Sequence, residues 1–142
     1  MSYWLVKTEP ETYGYADLES QGRDRWNGVR NWQALKYMRQ MQPGDAVFVY
    51  HTGKEKAIIG VATVVSLPYP DPEAAQSRMI VVDLAAKERL PRPVTLHEIK
   101  QDPFFQAWEL VNLPRLSIMP VQPEYWEEVL KLAGMQELEL SR

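Results

Sequence analysis

Two apolar runs rich in β-branched residues lie close together in the first half of the chain. They occupy residues 46–51 and 57–65, and only a polar five-residue segment separates them. Two such runs joined by a short polar turn predict a β-hairpin. Gly60 falls inside the second run, where a glycine indicates a β-bulge or the close approach of another group. The chain is therefore expected to fold around antiparallel strands.

Strand and helix patterns follow one another along the rest of the sequence. Residues 20–29 show no periodicity and are predicted to form a loop. A helix of about three turns follows, with Asn31 as its N-cap and a stop signal at residues 43–45. The other predicted elements are strands at 3–7, 79–84 and 116–118, a helical turn at 17–19, a short helix with a capping box at Thr95–Glu98, and a helix from Pro123 to Gly134.

This order contains too few crossover helices for a doubly wound parallel sheet. We expect an α+β fold, built on a small, mostly antiparallel and barrel-like sheet with helices packed at its ends. The sequence has no internal repeat and no linker long enough to divide it. Residues 1–142 are therefore predicted to form a single domain.

The composition excludes several kinds of site. The chain has no cysteine and only two histidines, which excludes thiolate metal sites and cysteine nucleophiles. We therefore expect no metal, no other cofactor and no disulfide. No apolar stretch approaches membrane-spanning length and no signal sequence is present, so a cytoplasmic protein without a membrane partner is predicted. The motifs of nucleotide-dependent enzymes, zinc hydrolases and α/β-hydrolases are also missing.

Charge is unevenly distributed along the chain. The net charge of -3 argues against binding nucleic acid through bulk electrostatics, yet residues 21–40 carry five basic side chains and a single acid. In this segment Trp26 and Arg30 precede the helix N-cap at Asn31. An aromatic ring beside a guanidinium and a helix N-terminus suits a flat, partly anionic ligand. The alternative is that Trp26 only fills the core and Arg30 only pairs with a carboxylate.

Five short blocks of sequence carry a resemblance to a known family. The blocks are Tyr3–Pro10, Trp26-x-Gly28-Val29-Arg30-Asn31-x-x-Ala34, Gly44-Asp45 followed by Phe48–His51, Tyr69–Pro72, and Arg115–Ile118 with Pro120. Together they resemble the EVE domain, a member of the PUA-like superfamily, from about Tyr3 to Gly134. Two residues depart from the family pattern, because Asn27 stands where Asp is usual and Met119 where Gln is usual.

The resemblance implies a PUA-like pseudobarrel with a pocket beside it. It also implies a non-catalytic nucleic-acid-binding protein that reads a modified base, chiefly a modified cytosine in DNA, in an aromatic-lined pocket. The site residues that it implies are Trp26 and Tyr50 as aromatic walls with Val29 beside them, Asn31, His51 and Ser117 at the base edge, and Lys7 and Arg30 at phosphate or a base oxygen.

Each polar residue at the base edge also has a purely structural alternative. Asn31 is suited to capping its helix, Ser117 to bonding a backbone group, and His51 to ending its strand with both ring nitrogens satisfied. Two other functions also stay open. One is an RNA-binding PUA-like domain, since contacts to a ribose leave no sequence signature.

The second alternative function is a small amidohydrolase acting on modified nucleosides, similar to distant relatives of the ASCH group that use Lys, Thr and Glu. Lys7, Thr8 and Glu9 supply these residue types at the exit of the first strand. Consecutive residues of an extended segment alternate between faces, however, so Thr8 is expected to point away from the other two side chains. The sequence therefore favours a binding protein over an enzyme.

Overall fold

The computed structural model describes residues 1–74 and 79–135, which form a seven-stranded sheet with five α-helices and one 3₁₀ turn. The strands are β1 (Tyr3–Thr8), β2 (Arg23–Trp26), β3 (Ala46–His51), β4 (Ala57–Val64), β5 (Tyr69–Pro70), β6 (Ile80–Thr95) and β7 (Ile118–Pro120). The helices are α1 (Tyr15–Gln21), α2 (Trp32–Met38), α3 (Leu96–Gln101), α4 (Glu109–Asn112) and α5 (Pro123–Leu132), and the 3₁₀ turn is Pro103–Phe105.

Six strands form one continuous path in the order β2-β6-β4-β3-β1-β7, and β5 pairs with β6 beside it. β1 and β3 are parallel, whereas the other paired strands are antiparallel. The sheet is therefore mixed, and strand pairing does not close it, because β2 and β7 end the path. The predicted α+β fold with a mixed, mostly antiparallel sheet is confirmed.

The prediction of a loop over residues 20–29 is wrong for its central part. Residues Arg23–Trp26 form β2, which pairs antiparallel with β6 so that Trp26 lies opposite Val82. Alternate residues of a strand face opposite sides. β2 therefore places its two arginines on one face and Asp24 with Trp26 on the other, and it contains no apolar run. Its place in the sheet comes from the distant strand β6.

The predicted hairpin is confirmed as β3 and β4. The register between them shifts opposite Ile58 and Gly60, which is the irregularity that the glycine indicated. A Cβ atom on Gly60 would lie 2.5 Å from Cζ of Tyr15. The ring of Tyr15 therefore occupies the space that a side chain would need.

The sequence predicts the helix caps better than it predicts the helix lengths. Asn31 caps α2, with its side-chain oxygen accepting the backbone N–H of Ala34 at 3.0 Å. α2 has seven residues instead of the three turns predicted. After it, the carboxylate of Asp45 accepts the N–H of Gln42 at 2.9 Å and stabilises the turn that leads into β3. The capping box at Thr95–Glu98 is present as predicted.

The last helix packs its apolar side on the sheet. Trp126 of α5 stacks on Phe48 of β3 with ring centroids 3.8 Å apart, and on Tyr3 of β1 at 4.6 Å. Gly134, after α5, has a φ of 79°, the left-handed conformation expected of a glycine that follows a helix end. α5 thus covers the core on the side of β1 and β3.

Candidate functional site

An open cleft of about 800 Å³ lies where the end of β1 meets β2 and the loop that follows β2. The whole of β2 lines it, together with side chains from β1, from the turn after β1 and from β5. Five of the eight residues expected from the sequence also line it, namely Lys7, Trp26, Val29, Arg30 and Ser117. The structure therefore brings most of the expected residues to one place.

Two aromatic rings form one wall of the cleft. Trp26 ends β2 with 7% of its surface exposed, and the ring of Tyr13 meets it edge-on with centroids 6.1 Å apart. The hydroxyl of Tyr13 donates to Oδ2 of Asp24 at 2.6 Å. Burial and this carboxylate raise the pKa of Tyr13, so the phenol stays protonated and keeps its role as donor. Trp26 thus both packs against the core and lines the cleft.

Carboxylates pair with two of the arginines around the cleft. Arg23 lies 3.2 Å from Asp83, and Arg25 lies 3.2 Å from Glu73. Arg30 is exposed and has no ion-pair partner within residues 1–74 and 79–135. Its guanidinium is therefore available to an anionic ligand, and the alternative that Arg30 pairs with a carboxylate is not observed in this part of the chain.

Lys7 is a second cation that no described carboxylate neutralises. Its Nζ donates to the carbonyl oxygen of Pro114 at 2.9 Å and lies 5.5 Å from the ring centroid of Tyr50. Burial lowers the pKa of Lys7. The carbonyl and the ring hold the ammonium at the cleft.

Polar and apolar groups complete the cleft beside Lys7. The backbone oxygen of Ser117 accepts the N–H of Lys7 at 2.9 Å, and its hydroxyl has no hydrogen-bond partner among the residues that the structure describes. Val29, in the loop between β2 and α2, is buried and contributes an apolar surface. Of the two departures from the family pattern, Asn27 is exposed and lines the cleft, whereas Met119 is fully buried in β7.

The structure places Asn31 and Tyr50 outside the lining of the cleft. Asn31 uses its side-chain oxygen to cap α2. Tyr50 is buried in β3, and its ring lies beneath the ammonium of Lys7 instead of facing the open space. For Asn31 the structural alternative, a helix cap, describes the position, whereas the ring of Tyr50 contacts Lys7, which lines the cleft.

His51 also lies outside the cleft lining, because both of its ring nitrogens bond within the protein. Nε2 accepts the backbone N–H of Tyr15 at 3.0 Å, so Nδ1 carries the proton that is donated to Glu55 at 2.8 Å. The residue is 7% exposed. His51 thus fixes the first turn of α1 to the end of β3.

We expect His51→Leu to lower the free energy of unfolding by about 1–2 kcal/mol, because it leaves the buried N–H of Tyr15 without an acceptor. Urea denaturation measures this change. The matched control is His97→Leu, since His97 is exposed on α3. Equal stability of the two variants would contradict a structural role for His51.

Tyr13 and Asp24 are among the residues of the cleft that the sequence did not predict. Asp24 and Trp26 share a face because β2 is a strand. Only then does Asp24 lie on the side of Trp26, where Tyr13 bonds to it. The alternation of arginine with a different residue type over Arg23-Asp24-Arg25-Trp26 was the available signal. It was too short to distinguish from a loop.

The residue types of the amidohydrolase alternative do not form a cluster with shared partners. Thr8 donates its hydroxyl hydrogen to the backbone oxygen of Tyr13 at 2.5 Å, whereas Lys7 donates to Pro114. Glu9 is exposed beyond the strand end. Lys7 and Thr8 are therefore held by different neighbours, and Glu9 is not bonded to either of them.

Two further findings concern metals and membranes. In the described ranges no group of three or more His, Asp or Glu residues is arranged to hold a metal ion. No helix there combines the length and the apolar character needed to cross a bilayer.

The chain is similar to a known family of proteins and to several solved structures. The EVE domain model matches residues 2–132. Human thymocyte nuclear protein 1 is 30% identical, over 92% of this chain and 73% of its own length. A crystal structure of a protein from Agrobacterium tumefaciens has a TM-score of 0.93 and 34% identity, with 96% of each chain covered.

Two other solved structures resemble this chain. Human THYN1 in complex with DNA containing 5-methylcytosine has a TM-score of 0.87 and 29% identity, covering 96% of this chain and 99% of that one. ASCH from Zymomonas mobilis has a TM-score of 0.57 at 11% identity, with 92% and 95% covered, and shares the fold alone. From the matches at family level we conclude that this chain belongs to the EVE domain family.

Proposed function

We propose that this protein binds DNA carrying a modified cytosine, without catalysis, and holds the modified base in the cleft beside Trp26. The observation that carries the proposal is that one open cleft holds an aromatic ring, Trp26, and two cations, Lys7 and Arg30, that form no ion pair with a described carboxylate. It is supported by the similarity to human THYN1, which has been solved with DNA containing 5-methylcytosine.

A base that leaves the helical stack needs a flat surface to replace its neighbours. Trp26 supplies such a surface at the end of β2, and Val29 adds apolar contact next to it. The hydroxyl of Ser117, which has no hydrogen-bond partner among the described residues, can bond the edge of a base. The DNA backbone then passes Lys7 and Arg30, whose charges attract phosphate.

The test is a binding assay with duplexes that differ only in one base, cytosine or 5-methylcytosine, at a fixed salt concentration. We expect tighter binding of the 5-methylcytosine duplex and no change in the mass of the DNA after incubation. Equal affinity for the two duplexes would contradict the proposal. Tighter binding of RNA of the same sequence would favour the RNA-binding alternative, and a released base or altered mass would favour an enzyme.

We expect Lys7→Ala and Arg30→Ala each to weaken binding of modified and unmodified duplexes by the same factor. Phosphate contacts position DNA without reading its bases, so each change should also lower the slope of log K against log salt by about 1. Anisotropy titrations at several salt concentrations measure both effects. Lys100→Ala, which removes an exposed cation of α3 away from the cleft, is the control. A change in the ratio of modified to unmodified affinity would instead place the cation against the base.

A further inference from the structure

Asp24 is a carboxylate in the cleft to which the proposed function assigns no role. It lies two residues before Trp26 on β2, and residues at this spacing face the same side of a strand, about 7 Å apart. Both residues line the cleft. A base stacked on the ring of Trp26 would therefore have a negatively charged acceptor near its edge.

The carboxylate of Asp24 is held in place but not saturated. Oδ2 accepts the hydroxyl of Tyr13 at 2.6 Å, and Oδ1 accepts the backbone N–H of Arg25 at 2.8 Å. An ionised carboxylate offers about four acceptor positions. Two positions are thus left for a ligand.

No cation neutralises Asp24 within the described part of the chain. The arginines on either side of it in sequence pair with other acids, Arg23 with Asp83 and Arg25 with Glu73. Both arginines line the cleft as well, but their guanidiniums donate to those acids and not to Asp24. The negative charge of Asp24 is therefore available to select a hydrogen-bond donor.

We propose that Asp24 accepts a hydrogen bond from the exocyclic amino group of the base bound beside Trp26, and so selects cytosine and its 5-modified forms over thymine. The inference rests on the proposed function and names the chemistry by which the cleft identifies its base. Carboxylates accept from N4 of cytosine, whereas thymine presents a carbonyl oxygen at the same position, which a carboxylate repels. The rejection of an analogue that lacks a required donor is the stronger kind of discrimination.

The test compares 5-methylcytosine with thymine, which share the C5 methyl group and differ at positions 3 and 4 of the ring. Each base is placed opposite an abasic-site analogue in the same duplex, so neither loses a pairing partner when it enters the cleft. We expect the wild-type protein to bind the 5-methylcytosine duplex at least about fivefold more tightly. Equal affinity for the two duplexes would overturn the inference without the need for any variant.

Two substitutions of Asp24 test whether its carboxylate causes the preference for 5-methylcytosine over thymine. In Asp24→Asn and Asp24→Ser we expect the fivefold preference to fall to about one, because neither side chain repels the carbonyl of thymine. Asp83→Asn is the matched control, since Asp83 also lines the cleft but pairs with Arg23 and Tyr69. If either Asp24 variant is folded and keeps the wild-type preference for 5-methylcytosine over thymine, the inference is overturned.

The outcomes separate this inference from the proposed function. If 5-methylcytosine is preferred to cytosine but not to thymine, the function stands and the role of Asp24 is wrong. If the protein binds none of the duplexes, both are wrong. Tyr13→Phe leaves the carboxylate but removes the hydroxyl that orients it, so it should reduce the preference for 5-methylcytosine over thymine less than Asp24→Asn does.

Discussion

Trp26→Ala should lower the free energy of unfolding by about 3–5 kcal/mol, the range for deleting a large buried aromatic side chain. Trp26 is 7% exposed, lies in the β2–β6 ladder opposite Val82 and packs edge-on against Tyr13. Loss of its ring leaves a cavity between these groups. Urea denaturation followed by circular dichroism measures the change. A loss of less than about 1 kcal/mol would show that the ring contributes little to packing.

The same variant is a poor probe of binding, because partial unfolding alone would reduce affinity. Trp26→Leu keeps much of the apolar volume and removes the aromatic face. Trp26→Phe keeps an aromatic face, although the ring is smaller. We expect the leucine variant to lose about 1–3 kcal/mol of DNA-binding free energy, the usual contribution of one base stacked on an aromatic ring, and the phenylalanine variant to lose less.

A control variant isolates stacking from stability. Trp108 is buried near the 3₁₀ turn, does not line the cleft, and is 1% exposed. Trp108→Leu should therefore destabilise the protein to a similar extent and leave DNA affinity unchanged at a temperature where all variants are folded. If Trp26→Leu and Trp108→Leu bind DNA equally well, Trp26 serves the core alone.

The elements that the sequence predicts well carry their own local signals. The capping box at Thr95–Glu98 and the N-cap at Asn31 require only residues three positions apart. The β3–β4 hairpin requires two apolar runs and a short turn. These signals act within a few residues of the chain, so they can be read without knowledge of the rest of the fold.

The elements that the sequence misses depend on distant partners. β2 is a strand because β6 pairs with it, and its four residues are too polar to indicate a buried strand. Most of β6 was missed for the same reason, since the part after residue 84 is held by β4. Pairing between segments far apart in sequence therefore sets the edge of the sheet on which the cleft is built.

The residues of the site also divide into those that the sequence predicts and those whose contacts depend on distant parts of the chain. Trp26 and Arg30 were found through the basic segment before the N-cap at Asn31, and Ser117 through a block of family sequence, and both signals specify positions without specifying contacts. His51 belongs to such a block as well, yet the N–H of Tyr15 and the carboxylate of Glu55 occupy both of its nitrogens. Those partners come from the α1 turn and the hairpin turn, and only the folded chain brings them to the ring.

Gly60→Ala should lower the free energy of unfolding by about 3 kcal/mol, at the upper end of the usual range for overpacking a core. The added Cβ would lie 2.5 Å from Cζ of Tyr15, which is closer than nonbonded carbon atoms approach. The ring cannot swing aside without cost. Its hydroxyl donates to the backbone oxygen of Val61 at 2.7 Å, and the guanidinium of Arg89 lies 5.3 Å from its centroid.

A double-variant cycle tests whether the Tyr15 ring is the cause. Tyr15→Ala removes the ring, so adding Gly60→Ala to that variant should cost less than 1 kcal/mol, and the coupling between the two sites should exceed about 2 kcal/mol. Gly14→Ala is the matched glycine control, because its Cβ would meet its nearest neighbour, Nε2 of His51, at 3.4 Å. If Gly60→Ala lowers the free energy of unfolding as much in the Tyr15→Ala variant as in the wild type, this explanation is wrong. The requirement for glycine would then lie in the backbone of the bulge.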